Sequence, residues 1–167
     1  MTQEEKIAQL FVDMLWNDTG KQTAALLGRY PSGGLRYNNR KPRELYRQNA
    51  AAQKNSRIPL LIAANVEAGG NGAMTGGTKI GEGIACAATG DIRSAYEMGL
   101  YGCREAAAVG CNWTFAPVVD IDRNWRKLCY SYALFRQRSR HCAGDGPRLH
   151  ERGKRGGRRL LHEAFSR

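Results

Sequence analysis

A strand, a glycine-rich loop, a long helix and a second strand follow one another between residues 58 and 119, and this order constrains the fold most. Residues 58–64 (IPLLIAA) form a continuous apolar run, typical of a strand covered on both faces in a parallel sheet. Asp91 is a good N-cap for a helix over 92–109, and Gly110 can adopt the left-handed conformation that ends it. Strand character returns over 113–119. This β-α-β order predicts an α/β protein with a parallel sheet and ligand-binding groups at the carboxyl ends of its strands.

Three further elements are predicted before this unit. Thr2 and Glu5 fit a capping box, and an apolar stripe follows, which together predict a helix over residues 3–16. The segment 33–37 (GGLRY) follows a Pro-Ser turn and is predicted to enter a short strand. Residues 42–56 are predicted to form a second helix, because Pro42 suits a first-turn position.

The loop 65–72 (NVEAGGNG) directly follows the apolar strand, at the position where parallel-sheet enzymes place ligand-binding groups. Its glycines allow a ligand to approach the backbone closely, and Asn65 and Glu67 are candidate binding residues. The alternative is that the glycines only shape a turn and that Glu67 is solvated. Neither phosphate-binding glycine motif is present, so a phosphate cradle is the weaker interpretation.

Two carboxylates, Asp120 and Asp122, end the next apolar strand in the segment APVVDID. They are predicted to face the same edge of the sheet, where carboxylates suit sugar binding or acid-base chemistry. A carboxylate that only binds loop backbone is the alternative for both. Trp113, Phe115 and Trp125 could stack on a sugar ring, although packing within the sheet is favoured for the first two.

Five blocks in order carry a family resemblance: MTQEEKIAQLF, GGLRY, IPLLIAANVEAGG, CREAAAVGCNWTFAPVVDID, and Arg123-Asn124. Together they resemble family 3 glycoside hydrolases, in particular the β-N-acetylhexosaminidase-like branch. The resemblance implies that residues 1–125 are the N-terminal part of a (β/α)8 TIM-type barrel domain, which makes the fold a partial barrel. It also implies hydrolysis of β-linked glycosides of the β-N-acetylhexosaminide or β-glucoside type.

The resemblance further implies a retaining mechanism, in which an aspartate nucleophile forms a glycosyl-enzyme intermediate that water hydrolyses. In the family the nucleophile and the acid/base lie beyond the matched segments, so no catalytic residue is assigned in this chain. The substrate-binding residues implied are Asn65, Glu67 and Asp120. Asn65 stands where the family usually has the Asp of D-x-E-G-G, and an amide can bind hydroxyls without supplying charge. No cofactor or metal is implied.

The net charge of +11 is concentrated in the last 42 residues. Residues 126–167 hold twelve Lys and Arg against three acidic residues, so +9 of the charge lies there, and all three histidines lie there as well. This segment is expected to be irregular and not to belong to the family. A basic tail that binds nucleic acid is one interpretation, with cations on phosphates and a steep salt dependence.

A change of reading frame near Arg126 is the favoured interpretation of the tail. Residues 162–167 (HEAFSR) can be encoded CAT GAA GCA TTT TCC AGG. With a preceding CTG, a shift of one nucleotide reads Cys-Met-Lys-His-Phe-Pro-Gly, which contains the family's K-H-F-P-G segment. The same shift permits other family blocks at the expected spacing. We therefore expect no nucleic-acid partner and an inactive fragment, with a carbohydrate-binding remnant without catalysis as the alternative. Its open sheet edges would favour aggregation.

The remaining composition is that of an ordinary globular protein, at 42% hydrophobic and 25% charged residues. Five cysteines without C-x-x-C spacing make a disulfide framework or a zinc site unfavoured. No signal peptide or apolar run of membrane-spanning length is seen, which indicates a cytoplasmic context without membrane association.

Overall fold

The computed structural model describes residues 1–16 and 19–118, in which helices and parallel strands alternate. The helices are α1 (Gln3–Ala8), α2 (Gly20–Arg29), α3 (Pro42–Asn55), α4 (Gly83–Ala88) and α5 (Ile92–Ala108), with one 3-10 turn at Gly70–Gly72. The strands are β1 (Val12–Leu15), β2 (Gly34–Tyr37), β3 (Leu61–Ala64) and β4 (Trp113–Thr114).

The four strands form one parallel sheet in the order β1-β2-β3-β4. Each strand therefore pairs with the strand that follows it in the chain, with Val12 opposite Gly34 and Gly34 opposite Leu61. A doubly wound sheet would reverse its strand order partway, whereas a (β/α)8 barrel adds strands in sequence. The predicted α/β fold is confirmed, and the described residues have the arrangement of the first part of such a barrel.

One face of the sheet packs against the helices and holds the core. Strand residues on this face alternate along β1, β2 and β3, and helix residues cover them. They form one cluster of buried side chains that includes Leu15, Leu35, Ile62, Leu27 and Leu45. The helices thus stabilise the sheet by burying apolar area.

The opposite face of the sheet is open within the described residues. Val12, Leu61 and Trp113 alternate with the core residues along their strands, and all three are exposed. Arg36 has the same parity on β2 and is also exposed. In a closed barrel this is the inner face, where side chains from neighbouring strands pack in layers.

The predicted helix over 3–16 is wrong beyond Ala8. The capping box of Thr2 and Glu5 is present and α1 starts as expected, but the chain pairs with β2 as strand β1 over Val12–Leu15. Over so short a run, the apolar residues fit the helix period and the strand period equally well. Pairing with β2 selects the strand. The helices α2 and α4 were not predicted. The capping box of Thr19 and Gln22 is the sequence signal that marks the start of α2.

The other predicted elements are confirmed with shorter bounds. Helix α3 begins at Pro42, and α5 is capped by Asp91, whose carboxylate accepts a hydrogen bond from the Arg93 backbone N–H. Gly110 has φ of +88°, the left-handed conformation expected after α5. The strand predicted over 113–119 is limited to Trp113–Thr114 among the residues described.

Candidate functional site

The carboxyl ends of β2 and β3 place two polar segments at the same edge of the sheet. Asn38, Asn39 and Arg40 follow β2, and Asn65 and Glu67 follow β3. Parallel strands that pair side by side end on one edge, which in barrel enzymes is the edge that carries the active site. The structure thus brings the two predicted binding residues Asn65 and Glu67 to the expected edge.

Asn65 presents an amide oxygen without a partner. Its Oδ1 atom is buried and accepts no hydrogen bond from the described residues. A buried polar atom left unpaired costs about 1–3 kcal/mol, so an unpaired acceptor beside a binding edge is suited to a ligand donor. The Asn65 carbonyl lies against Gly72, where a Cβ would come within 1.5 Å of that oxygen. Close packing therefore fixes the backbone at Asn65.

Glu67 is partly buried between two buried residues, Val66 and Ala68. Its carboxylate makes no hydrogen bond or ion pair with the part of the chain that the structure describes. The flanking side chains anchor the backbone on each side. A carboxylate held in this way can accept hydrogen bonds from sugar hydroxyls.

The glycines of the loop mainly permit close packing within the loop. A Cβ at Gly77 would meet the Gly70 carbonyl at 2.2 Å, and Gly69 has φ of +119°, which other residues rarely adopt. The Ile80 N–H donates to the Ala68 carbonyl at 2.9 Å and closes the loop. Of the two interpretations of these glycines, the structure supports the shaped turn.

The segment after β2 contacts this loop directly, a feature that the sequence analysis missed. The Asn39 side-chain amide donates to the Asn71 carbonyl, and the Thr75 N–H donates to the Arg40 carbonyl at 2.9 Å. The Asn71 Oδ1 atom is a second buried acceptor without a partner among the described residues. The position of Asn38 and Asn39 after the predicted strand GGLRY was the signal that could have identified this side of the site.

Beneath the loop, Tyr37 joins three segments. Its hydroxyl donates to the Ala73 carbonyl at 2.9 Å and lies 2.8 Å from the Cys111 Sγ atom. Burial raises the pKa of the Tyr37 hydroxyl, and the Cys111 thiol raises it further. Burial also raises the pKa of Cys111 to about 11, against the opposing effect of its hydrogen bond with Tyr37. Both groups are neutral near pH 7 and act as structural contacts.

The aromatic candidates lie on the open face. The Trp113 and Phe115 rings meet edge to face with centroids 4.8 Å apart, and both are exposed. Aromatic pairs prefer this edge-to-face arrangement. Asp120, Asp122 and Trp125 lie outside the described residues, so their predicted roles stay predictions.

Two absences apply to the described ranges 1–16 and 19–118. No group of three or more His, Cys, Asp or Glu side chains there could hold a metal ion. No helix in those ranges is both long and apolar enough to cross a membrane.

A parallel sheet in chain order, flanked by helices and carrying polar groups at its carboxyl edge, defines the first part of a barrel-type α/β enzyme domain. The family model described as the glycosyl hydrolase family 3 N terminal domain matches residues 2–135, and the chain belongs to this family. The match extends ten residues past the predicted boundary at 125.

Individual relatives agree with this assignment. A protein of Cellulomonas fimi named beta-N-acetylglucosaminidase/beta-glucosidase is 32% identical over 126 residues, which are 75% of this chain and 22% of that protein. The structure of the beta-glucoside phosphorylase BglX bound to 2FGlc matches with a TM-score of 0.87 and 29% identity, over 94% of this chain and 29% of that one. A family 3 beta-N-acetylglucosaminidase from Paenibacillus sp. str. FPU-7 shares the fold, with a TM-score of 0.83 and 23% identity, over 94% of this chain and 32% of that one. The chain thus spans less than a third of the length of each of these relatives.

Proposed function

We propose that this chain supplies the first four strands and part of the sugar-binding site of a family 3 enzyme that cleaves β-linked glycosides. The substrate class is a β-N-acetylglucosaminide or a β-glucoside, because the names of the relatives describe activity on these two sugars. The proposed reaction breaks the glycosidic bond with retention, through a glycosyl-enzyme intermediate that water hydrolyses. We assign neither the nucleophile nor the acid/base to a described residue.

The observation that carries the proposal is the pair of unpartnered oxygen acceptors after β3. Asn65 Oδ1 is buried without a donor, and the Glu67 carboxylate has no partner within the described ranges. Sugar hydroxyls are donors that would satisfy both groups. A carboxylate would form the stronger of the two contacts, since hydrogen bonds to charged groups contribute about 1.5–3 kcal/mol. Asp120, which lies outside the described residues, is proposed as a third binding group.

Titration of the 167-residue chain with N-acetylglucosamine and with glucose tests the binding role. We expect Asn65→Ala and Glu67→Gln each to weaken binding by about tenfold, which corresponds to about 1.4 kcal/mol. Asn55→Ala is the matched control for Asn65, because Asn55 is exposed at the end of α3 and, among the described residues, donates to the Ala51 carbonyl of its own helix. Unchanged affinity in both site variants would refute the assignment of these residues.

We also propose a change of reading frame after Arg126, within or at the end of the family match that stops at residue 135, so that residues 136–167 are not family sequence in this frame. The support is that the shifted frame can encode Cys-Met-Lys-His-Phe-Pro-Gly over the last residues of the chain. Determining the nucleotide sequence through this segment tests the proposal. A shifted frame without a Lys-His-Phe-Pro-Gly segment would show that it is wrong.

Transfer of the sugar to phosphate is a second candidate reaction. It is favoured by the likeness to BglX, which is named a beta-glucoside phosphorylase and is 29% identical to this chain. The gene product read through the shifted frame should be assayed with an aryl β-glycoside in the presence and absence of phosphate. Formation of the free sugar alone supports hydrolysis, and formation of a sugar 1-phosphate supports phosphorolysis.

A further inference from the structure

Glu105, on the last turns of α5, makes an unusual pair of contacts with the loop after β3. Its Oε2 atom accepts the Thr78 backbone N–H at 2.8 Å, and its Oε1 atom accepts the Thr78 hydroxyl at 2.5 Å. Both carboxylate oxygens are thus used on one residue of the loop. Neither is engaged in an ion pair within the described part of the chain.

The same carboxylate occupies the space beside Gly70. A Cβ built on Gly70 would lie 1.8 Å from the Glu105 Oε2 atom, so the absence of a side chain at this position lets the carboxylate reach Thr78. Gly70 and Thr78 lie on two segments of the loop that the hydrogen bond from the Asn71 N–H to the Thr78 carbonyl joins. Glu105 therefore contacts both segments at once.

Backbone interactions link the contact between Glu105 and Thr78 to the binding edge. The Asn71 N–H donates to the Thr78 carbonyl at 3.2 Å, and Asn71 is itself contacted by the Asn39 side chain. Gly72, the next residue, packs on the Asn65 carbonyl. A displacement of Thr78 would thus be transmitted through the turn at 70–72 to Asn65.

We infer that Glu105 is a positioning residue, which holds the loop 65–80 in the geometry that presents Asn65 and Glu67 to a sugar. This inference rests on the proposed function for the role of the loop. Glu105 contacts the loop at Thr78 and Gly70. Its effect on sugar binding is therefore transmitted through the loop.

The test compares Glu105→Ala with the matched control Glu97→Ala in the full 167-residue chain. Glu97 lies two turns earlier on α5, is exposed and has no partner among the described residues. Hydrogen exchange of the peptide over 66–79 and affinity for N-acetylglucosamine are measured for each variant. We expect Glu105→Ala to accelerate exchange in this peptide and to weaken binding, each by about tenfold, and Glu97→Ala to change neither.

Glu105→Gln provides the rescue. Its amide oxygen can accept the Thr78 N–H while its amide N–H donates to the Thr78 hydroxyl oxygen, so exchange and affinity should return to within about threefold of the parent chain. If Glu105 acted only through the stability of α5, Glu105→Ala would exchange more slowly than Glu105→Gln, because Ala favours helix over both Glu and Gln.

The outcomes separate this inference from the proposed function. Equal exchange rates in the 66–79 peptide of Glu105→Ala and Glu97→Ala would overturn the positioning role. Faster exchange that extends equally to β3 would also overturn it, because the effect would then be global. If the parent chain binds neither N-acetylglucosamine nor glucose, the proposed function fails, while exchange still decides whether Glu105 holds the loop.

Discussion

Two adjacent residues of β3 should respond very differently to truncation. Ile62 faces the helices and is fully buried, whereas Leu61 faces the open side and remains 49% exposed. Removal of a fully buried Ile side chain to Ala costs about 2–5 kcal/mol, because the lost burial is accompanied by a cavity. Full burial of a Leu side chain contributes about 1.5–3 kcal/mol, so half-burial makes the cost of Leu61→Ala about 1 kcal/mol.

Urea unfolding of the 167-residue chain, followed by circular dichroism, measures both changes. With a slope of about 2 kcal/mol per molar urea, Ile62→Ala should lower the midpoint by about 1–2.5 M and Leu61→Ala by about 0.5 M or less. Both variants place Ala on the same strand, and the higher strand preference of Ile adds less than about 1 kcal/mol to the difference. An equal shift for the two variants would refute the assignment of the helix-facing and open faces.

Three further perturbations have defined outcomes. Tyr37→Phe leaves the buried Ala73 carbonyl without its donor and should lower the free energy of unfolding by about 1–3 kcal/mol in the same urea assay. Gly110→Ala places a side chain at φ of +88° and 3.2 Å from Asn49, and should cost about 1–2 kcal/mol; a thermal shift of less than one degree would contradict this. Burial raises the pKa of Cys111 from 9.0 to about 11, so the unfolded chain loses this proton first as pH rises. The stabilisation is therefore present below pH 9 and is lost towards pH 11, by about 2–3 kcal/mol, and a Cys111→Ala chain should show a smaller decline in urea titrations across this range.

The long elements were predictable because local signals and tertiary packing agree in them. Asp91 caps α5 and Gly110 follows its end, as the sequence indicates. At residues 12–15 the local pattern fits a helix as well as a strand. Hydrogen bonding to β2 decides that segment, and such pairing over more than twenty residues leaves no trace in local periodicity.

The candidate site was predictable to the extent that it follows from strand ends. Asn65 and Glu67 were identified because they come directly after an apolar strand in a β-α-β unit, and the structure places them at that edge. Asn39, Asn71 and Glu105 were missed, since their roles arise from contacts between segments far apart in the sequence. Such contacts depend on how α5 packs over the loop, which residue spacing alone does not encode.

A titration of the isotopically labelled chain with N-acetylglucosamine and with glucose, followed by amide NMR shifts, tests whether the loop after β3 binds a sugar. We expect shifts confined to the carboxyl edge of the sheet, over residues 38–40 and 65–72. The amide chemical shifts of residues 55–58 should not change, because this segment joins the end of α3 to the amino end of β3. Shifts concentrated at that opposite edge, or no shifts with either sugar at tens of millimolar, would contradict a sugar site built on the loop after β3.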